Sequence, residues 1–452
     1  MLQNILPEEI KIHLEAREWK EVAKLHDKWP DPEIAAPELA DFIEELDKAD
    51  RVLCFRALPR EVATELLSEL DSETSDKLLL ELTDQETRHL LENLNPDDMT
   101  WLLGELPGQV TQRLMTLLDP EDLKQARKLL GYPEESVGRL MTPDYITVKA
   151  DWTIEKALRH IRKVGHESET INVIYVIDNK GKLQDALPVQ RFILSDPSLQ
   201  IREIMDYFYV SLSAYEDREE AVRTMQRYDR VALPVVDSQN VLLGIVTFDD
   251  VFEVAEEEAT EDFHKSAAVS PLKVSYWDAK PWVLFRSRIG WLMGLVVVNL
   301  LSSGVIAAYE ETLAAYVALA FFIPLIIDTG GNAGSQSATL MIRSISTGDV
   351  KMGQWLGAFL KEIVIGLCIG LTLGLMGLAL GIFRGGFQVG LVVLLTMVVM
   401  LLITNLIGVV LPFILTKLKL DPAIASGPLI TSVADAVGLI IYFSIAGLIL
   451  GL

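Results

Sequence analysis

Five apolar stretches, at about 288 to 309, 312 to 328, 355 to 383, 387 to 415 and 424 to 451, dominate the C-terminal part of the chain. Each approaches or exceeds the roughly 20 helical residues needed to cross a hydrocarbon core of roughly 30 Å, so five transmembrane helices are expected. The flanking charges set their direction. Arg286 and Arg288 precede the first stretch, Arg343 and Lys351 follow the second, and Lys417 and Lys419 follow the fourth, so all fall on one side. The positive-inside rule makes that side the cytoplasm. The opposite loops hold Glu310, Glu311 and Arg384. Five crossings then put the C-terminus outside and the larger, N-terminal part inside.

Charge divides the chain at the same place. The net charge is -24, yet residues 281–452 hold seven acids and eight bases, leaving 57 acids against 32 bases in the first 280 residues. Such an excess argues against nucleic acid as a partner, because phosphate binding requires the opposite sign. It suits a cation. The two cysteines, Cys54 and Cys368, lie in segments of different character and make neither a disulfide framework nor a zinc cluster. The opening "MLQNILPEEIKIHLEAREWK" has charges where a secretory signal needs an apolar core.

Asp435 lies about eleven residues into the fifth stretch, or roughly 16 Å along a helix axis. An ionised aspartate at that depth costs about 3 kcal/mol on insertion scales, so it is expected to face protein or water rather than lipid. Two readings follow. It is either a buried acid hydrogen-bonded by Thr404 or Asn405, or the carboxylate of an ion pathway, the only one near mid-membrane. All six histidines lie in the first 280 residues, and zinc and copper want imidazole or thiolate. Carboxylate, carbonyl and water suit Mg2+, Ca2+ or Mn2+. Mg2+ sheds water reluctantly, so it fits a site with few carboxylates best.

The second stretch ends in "IIDTGGNAGSQSATL", whose small and polar residues are unsuited to lipid. They form either a packing seam or, with Asn332, Ser335 and Gln336, a water-lined segment where glycines break the helix and expose carbonyls. Gly366, Gly370 and Gly374, four apart in the third stretch, are expected to form a packing face.

Two repeats organise the acidic part. From residue 35 to residue 130 a twelve-residue period runs for eight copies, each ending in leucine and often opening on Asp, Thr, Asn or Pro. Two helical turns and a tight turn, repeated, stack into an α-superhelix. A second duplication spans roughly 138 to 262, with "GRLMTPDYITVKADWTIEKALRHI" echoed by "REIMDYFYVSLSAYEDREEAVRTM". Its β-α-β-β-α unit resembles a pair of CBS domains. The second copy keeps the nucleotide-ribose pattern in "GIVTFDDV" with Thr247 and Asp250, whereas the first has Pro188 and Arg191 there. One candidate ATP site therefore remains. Beyond it runs "DDVFEVAEEEATEDFHK", where Asp250, Glu253, Glu257 and Glu261 share one helical face. Like charges so placed destabilise a helix by a few tenths of a kcal/mol per pair, an arrangement that divalent ions would relieve.

Taken together, these features resemble the MgtE family of Mg2+ channels and transporters. The most specific motifs are "GGNAGSQSAT" and "DPAIASGPLITSVADAVGL". The resemblance implies a multidomain chain. An acidic helical superhelix (1–133) leads into two CBS α/β domains (134–200 and 201–254), an acidic linker helix (255–280) and a polytopic all-α pore domain (281–452). It implies a homodimer in the cell membrane whose pore is lined by the second and fifth spans. Asp435, Thr431 and Asn332 would meet a hydrated Mg2+ there. It further implies regulatory Mg2+ held by Glu65 and Asp97 with Asp250, and by Glu253, Glu258, Glu261 and Asp262, with Asp217, Glu219, Asp229 and Asp421 completing the set. Trp101 stands where a second acid would follow Asp97 by one turn. A proton-coupled divalent carrier and a CBS-regulated channel for another ion are the alternatives. An enzyme is not expected, because the apolar part carries no acid/base or nucleophile constellation.

Overall fold

The twelve-residue period becomes a series of short helices, among them Lys48–Ala57, Arg60–Glu69, Ser72–Glu81, Pro96–Glu105, Gly108–Leu117 and Pro120–Leu129. From the second repeat on, the first residue of each repeat is the helix N-cap. Asp47, Asp71, Thr83 and Asp119 accept hydrogen bonds from first-turn amides, and Thr83 forms a reciprocal pair with Glu86. The closing leucines Leu58, Leu70, Leu82, Leu106 and Leu118 leave the helix in extended conformation and are buried. Burying such a side chain contributes about 1.5–3 kcal/mol, which is why the period ends on leucine. Two repeats depart from it. The first helix is Pro32–Glu44 and starts ahead of residue 35, since Pro32 is preset for a first turn. The fifth, Asp84–Leu91, stops short of Leu94.

The computed structural model describes residues 6–166, 168–272, 276–277 and 279–451. The chain divides into two units, Met1–Glu256 and Glu257–Leu452. In the first, the superhelix is followed by two three-stranded sheets of equal topology. Strands β1 (Thr147–Val148), β2 (Val173–Ile177) and β3 (Leu183–Pro188) form one, and β4 (Leu212–Ser213), β5 (Ala232–Val236) and β6 (Leu242–Thr247) the other. In each the first pair is parallel and the second antiparallel. Tyr175 and Leu183 of one sheet and Val236, Leu242 and Ile245 of the other share a core. The β-α-β-β-α duplication is therefore borne out. Its last helix, α1 (Phe248–Ser266), is continuous, so residues 254 and 255, where a boundary was expected, lie within one helix.

The second unit holds α2 (Pro281–Ala308), α3 (Ile323–Ser346), α4 (Trp355–Lys417) and α5 (Gly427–Leu450). Among the described residues these are the four helices long and apolar enough to cross a membrane, and the third and fourth expected spans are the two limbs of α4. Helix α4 is interrupted at Gly386, where φ is 85° and ψ 176°. That left-handed region favours glycine. Its limbs fold back on one another, since added Cβ atoms at Gly366, Gly370 and Gly374 would lie 3.1 Å from Leu402 Cα, 2.9 Å from Val398 Cα and 2.9 Å from Leu394 Cδ1. The four-residue glycine spacing is thus a packing face, as expected.

The second span is shifted relative to expectation. Helix α3 follows a 3-10 turn at Val317–Phe322, and "GGNAGSQSATL" lies inside it without a break. The packing-seam reading holds on one face, and the helix break expected at the glycines does not occur. Gly330, Gly331, Gly334 and Ser337 are buried, whereas Asn332 and Gln336 are exposed. A Cβ at Gly408 would sit 2.4 Å from Gly334 O and 2.9 Å from Ser337 Cβ, so α3 and α4 touch through backbone. Gly408→Val should lower the melting temperature in detergent by about 5 °C or more, from overpacking of about 1–3 kcal/mol. Gly353→Ala meets nothing within 4 Å and should leave it unchanged.

Candidate divalent-cation sites

In the first unit, folding brings together acids that are far apart in sequence. Asp97 and Asp98 open the helix Pro96–Glu105, Glu169 precedes β2, and Asp250 lies in the first turn of α1. Burial and then the neighbouring Asp250, Glu65, Glu169 and Glu253 push the Asp98 carboxyl up to about 7. Burial followed by Asp250 and Asp249 does the same to Glu169, also to about 7. Asp97 is raised well above the usual carboxylate range by burial, Asp250 and Asp98. Asp250 rises to about 6, burial outweighing the hydrogen bond that Thr247 Oγ1 donates to its Oδ2 at 2.6 Å. Glu65 is raised by burial, Glu33 and Glu69. Of the expected acids, Glu65, Asp97, Asp250 and Glu253 thus share one field.

Asp98 and Glu169 are members that the spacing of acids along the chain did not single out. Asp98 supplies beside Asp97 the second acid that Trp101 does not. Three expected ligands lie elsewhere. Asp217 caps the helix Arg218–Tyr228 by accepting from Glu219 N at 3.0 Å, and Glu219 pairs with Arg223. Asp229 ends that helix at φ 48° and borders a cavity of about 400 Å³ lined by Arg230, Phe248 and Phe252. Capping and ion pairing account for the first two without a metal. On the helix after β3, Arg191, which stands where the second copy has Asp250, donates to Asp206 at 2.6 Å and to Ile204 O at 3.2 Å.

In the second unit, Lys265 near the end of α1 donates to Asp421 at 2.6 Å and pairs with Glu261. Partial burial opposes its charge, but the two carboxylates outweigh it and hold the ammonium above its usual range. Asp262 is raised by burial and by Asp421, with Lys265 acting against them. Glu261, Asp262 and Asp421 are therefore together, with Glu258 half-buried on the same helix. Among the described residues no three carboxylate, imidazole or thiolate groups converge as metal ligands do.

Asp435 is eight residues into α5, about 12 Å from its start rather than 16 Å. The expected hydrogen bonds from Thr404 or Asn405 are not made. Thr404 Oγ1 donates to Leu401 O at 3.4 Å, and Asp435 Oδ1 is buried without a partner. Thr431, one turn earlier, donates to Gly427 O at 2.9 Å and packs against Gly331 of α3. Asp435 is not isolated from other acids, because its charge interacts with that of Asp328 on α3.

The comparisons assign this architecture. The model for a divalent cation transporter domain, MgtE, matches residues 323–445, the MgtE intracellular N domain matches 34–135, and CBS domains match 137–187 and 201–257. The magnesium transporter MgtE of Thermus thermophilus is 39% identical over 72% of this chain and 72% of its own length. That of Bacillus subtilis is 33% identical over 72% and 71%. The crystal structure of the cytosolic domain of the Mg2+ channel MgtE in complex with ATP is 34% identical, with a TM-score of 0.51, covering 54% of this chain and 98% of that one. Fold and matches define a membrane transporter of divalent cations with an acidic N domain and a CBS pair. The chain belongs to the MgtE family.

Proposed function

We propose that the protein carries Mg2+ across the cell membrane and that Mg2+ bound to its acidic parts shuts it. The observation that carries the reading is Asp435, an acid with an unpartnered buried oxygen in an apolar helix whose Ile430 and Thr431 pack against the glycines of α3. Mg2+ suits a site of few carboxylates and retained waters. Thr431 and Asn332 would contact that hydration shell. The positive-inside rule supports a cytosolic side for both acidic clusters, with the C-terminus outside as part of the same reading.

Regulation follows from electrostatics. Like charges in half-buried surroundings repel, and divalent ions relieve this only where the carboxylates are close, so Mg2+ favours the compact form. Glu65, Asp97, Asp98, Glu169, Asp250 and Glu253 would hold ions in one cluster, and Glu258, Glu261, Asp262 and Asp421 in the other. A homodimer is part of this reading. Phe248, Phe252 and Val231 are 57%, 60% and 52% exposed around one cavity, an apolar surface suited to a second copy. A bound nucleotide would use Thr247 and Asp250, since Arg191 replaces the acid in the first copy.

The test is Mg2+ flux into proteoliposomes at varied Mg2+ on the acidic side. Neutralising Glu258, Glu261 and Asp262 together should leave flux high at millimolar Mg2+, where the unaltered protein shuts. Unchanged shut-off would sink the gating scheme. Dependence on a proton gradient would favour a carrier.

A further inference from the structure

We propose that Asp328 is a second cation-binding carboxylate of the pathway, and that it and Asp435 hold one divalent ion jointly between α3 and α5. This rests on the reading of Asp435 as the transport carboxylate and adds a residue to it. The two helices run antiparallel in close register. A Cβ at Gly331 would lie 2.7 Å from Thr431 Cγ2, one at Gly334 would lie 3.0 Å from Ile430 Cγ2, and one at Gly427 would lie 2.8 Å from Ser335 Oγ. From the Gly331–Thr431 contact, Asp328 is three residues back along α3, about 4.5 Å, and Asp435 four residues forward along α5, about 6 Å. Both steps go the same way along the membrane normal, so the two carboxylates lie at one level.

Their charges interact. Asn332 follows Asp328 by one turn and is likewise exposed on α3. Neither placement suits a packing role. Asp435 Oδ1 is buried and unpartnered, and Asp328 is exposed on the apolar unit. Two carboxylates at one level on packed helices repel each other in surroundings of low dielectric, and a cation between them relieves both. Mg2+ is bound by one or two carboxylates with several waters kept, which is what this pair offers. A pathway with two acids at one level binds its ion more tightly than one with Asp435 alone.

The test compares Asp328→Asn, Asp328→Glu and Asp435→Asn in proteoliposomes, reading Mg2+ flux against external Mg2+. Asp328→Asn should raise half-saturating Mg2+ about tenfold, equivalent to about 1.4 kcal/mol, with the maximal rate kept. A loss of folding would instead lower the maximal rate. Asp328→Glu keeps the charge but moves it by one methylene, and should shift half-saturation by about threefold or more. It carries the test alone if Asp328→Asn does not accumulate. Unchanged half-saturation in the variants that accumulate overturns the proposal. Asp435→Asn separates the two ideas. If it has no flux while Asp328 variants behave as wild type, the pathway reading survives and the pair fails. If it transports normally, the pathway reading itself fails.

Discussion

Asp435→Ala should lower Mg2+ flux by about a hundredfold or more, while leaving the protein as stable as before or more so. The two effects have opposite signs because the carboxylate has no structural partner. Placing an aspartate deep in a spanning helix costs about 2.5–3.5 kcal/mol on insertion scales, and alanine removes that cost. Asp435 Oδ1 accepts no hydrogen bond, so truncation leaves no donor stranded. The neighbouring contacts of α5, Thr431 against Gly331 and Ile430 against Gly334, do not involve the aspartate. A structural acid would behave otherwise, since its loss would lower the melting temperature and the flux together. Flux measured with a Mg2+-sensitive dye inside proteoliposomes, alongside the melting temperature in detergent, distinguishes these outcomes. Intact flux in Asp435→Ala would falsify the account of this site.

The parts of the fold that were legible in the sequence are those fixed by short-range rules. Twelve-residue spacing, N-cap residues and closing leucines act within one repeat, and so placed the superhelix with errors only at its first helix and at Asp84–Leu91. Tandem duplication exposed the two sheets for the same reason. The second span was misplaced because "DTGGNAGSQ" was read as the end of a span when it is a helix whose small residues meet other helices. Gly331 meets Thr431, Gly334 meets Ile430, and Gly408 meets Gly334, contacts that no local pattern encodes. Counting apolar stretches found both limbs of α4 but could not say that Gly386 joins them as an interrupted helix.

The sites divide along the same line. Asp250, Glu253, Glu261 and Asp262 were legible as one acidic helix. The field around Asp98 and Glu169 depends on three segments of the first unit coming together, so neither residue stood out from other surface acids. Lys265, recognisable in sequence only as a base among acids, proves to be the cation held by Glu261 and Asp421. Asp328 was visible as an acid, but only the register of α3 against α5 puts it beside Asp435.

The cluster around Asp98 should also make the acidic unit less stable as pH rises when divalent ions are absent, and Mg2+ should reverse that. Asp98 and Glu169, pushed up to about 7, and Asp250, up to about 6, hold protons in the folded state that the unfolded chain releases near pH 4. Across the window from about pH 4 to 7 the folded state therefore binds more protons, and stability falls with pH. That stabilisation is fully present at the acid end and is lost as pH rises through about 6 to 7. Full-length protein in chelating buffer should thus have a higher urea midpoint for this unit at pH 5.5 than at pH 8. Trp101 fluorescence offers a probe, because Trp101 lies one turn from Asp97 and Asp98. Millimolar Mg2+ at pH 8 supplies the positive charge that protons supplied at pH 5.5, and should restore the midpoint by mass action on the folded state. Asp98→Asn with Glu169→Gln removes the titrating charges, so it should flatten the pH profile and weaken the response to Mg2+ together. A lower midpoint at pH 5.5 than at pH 8 in chelator would mean that these acids are paired with bases rather than with one another, and the cluster would then have no need of a divalent ion.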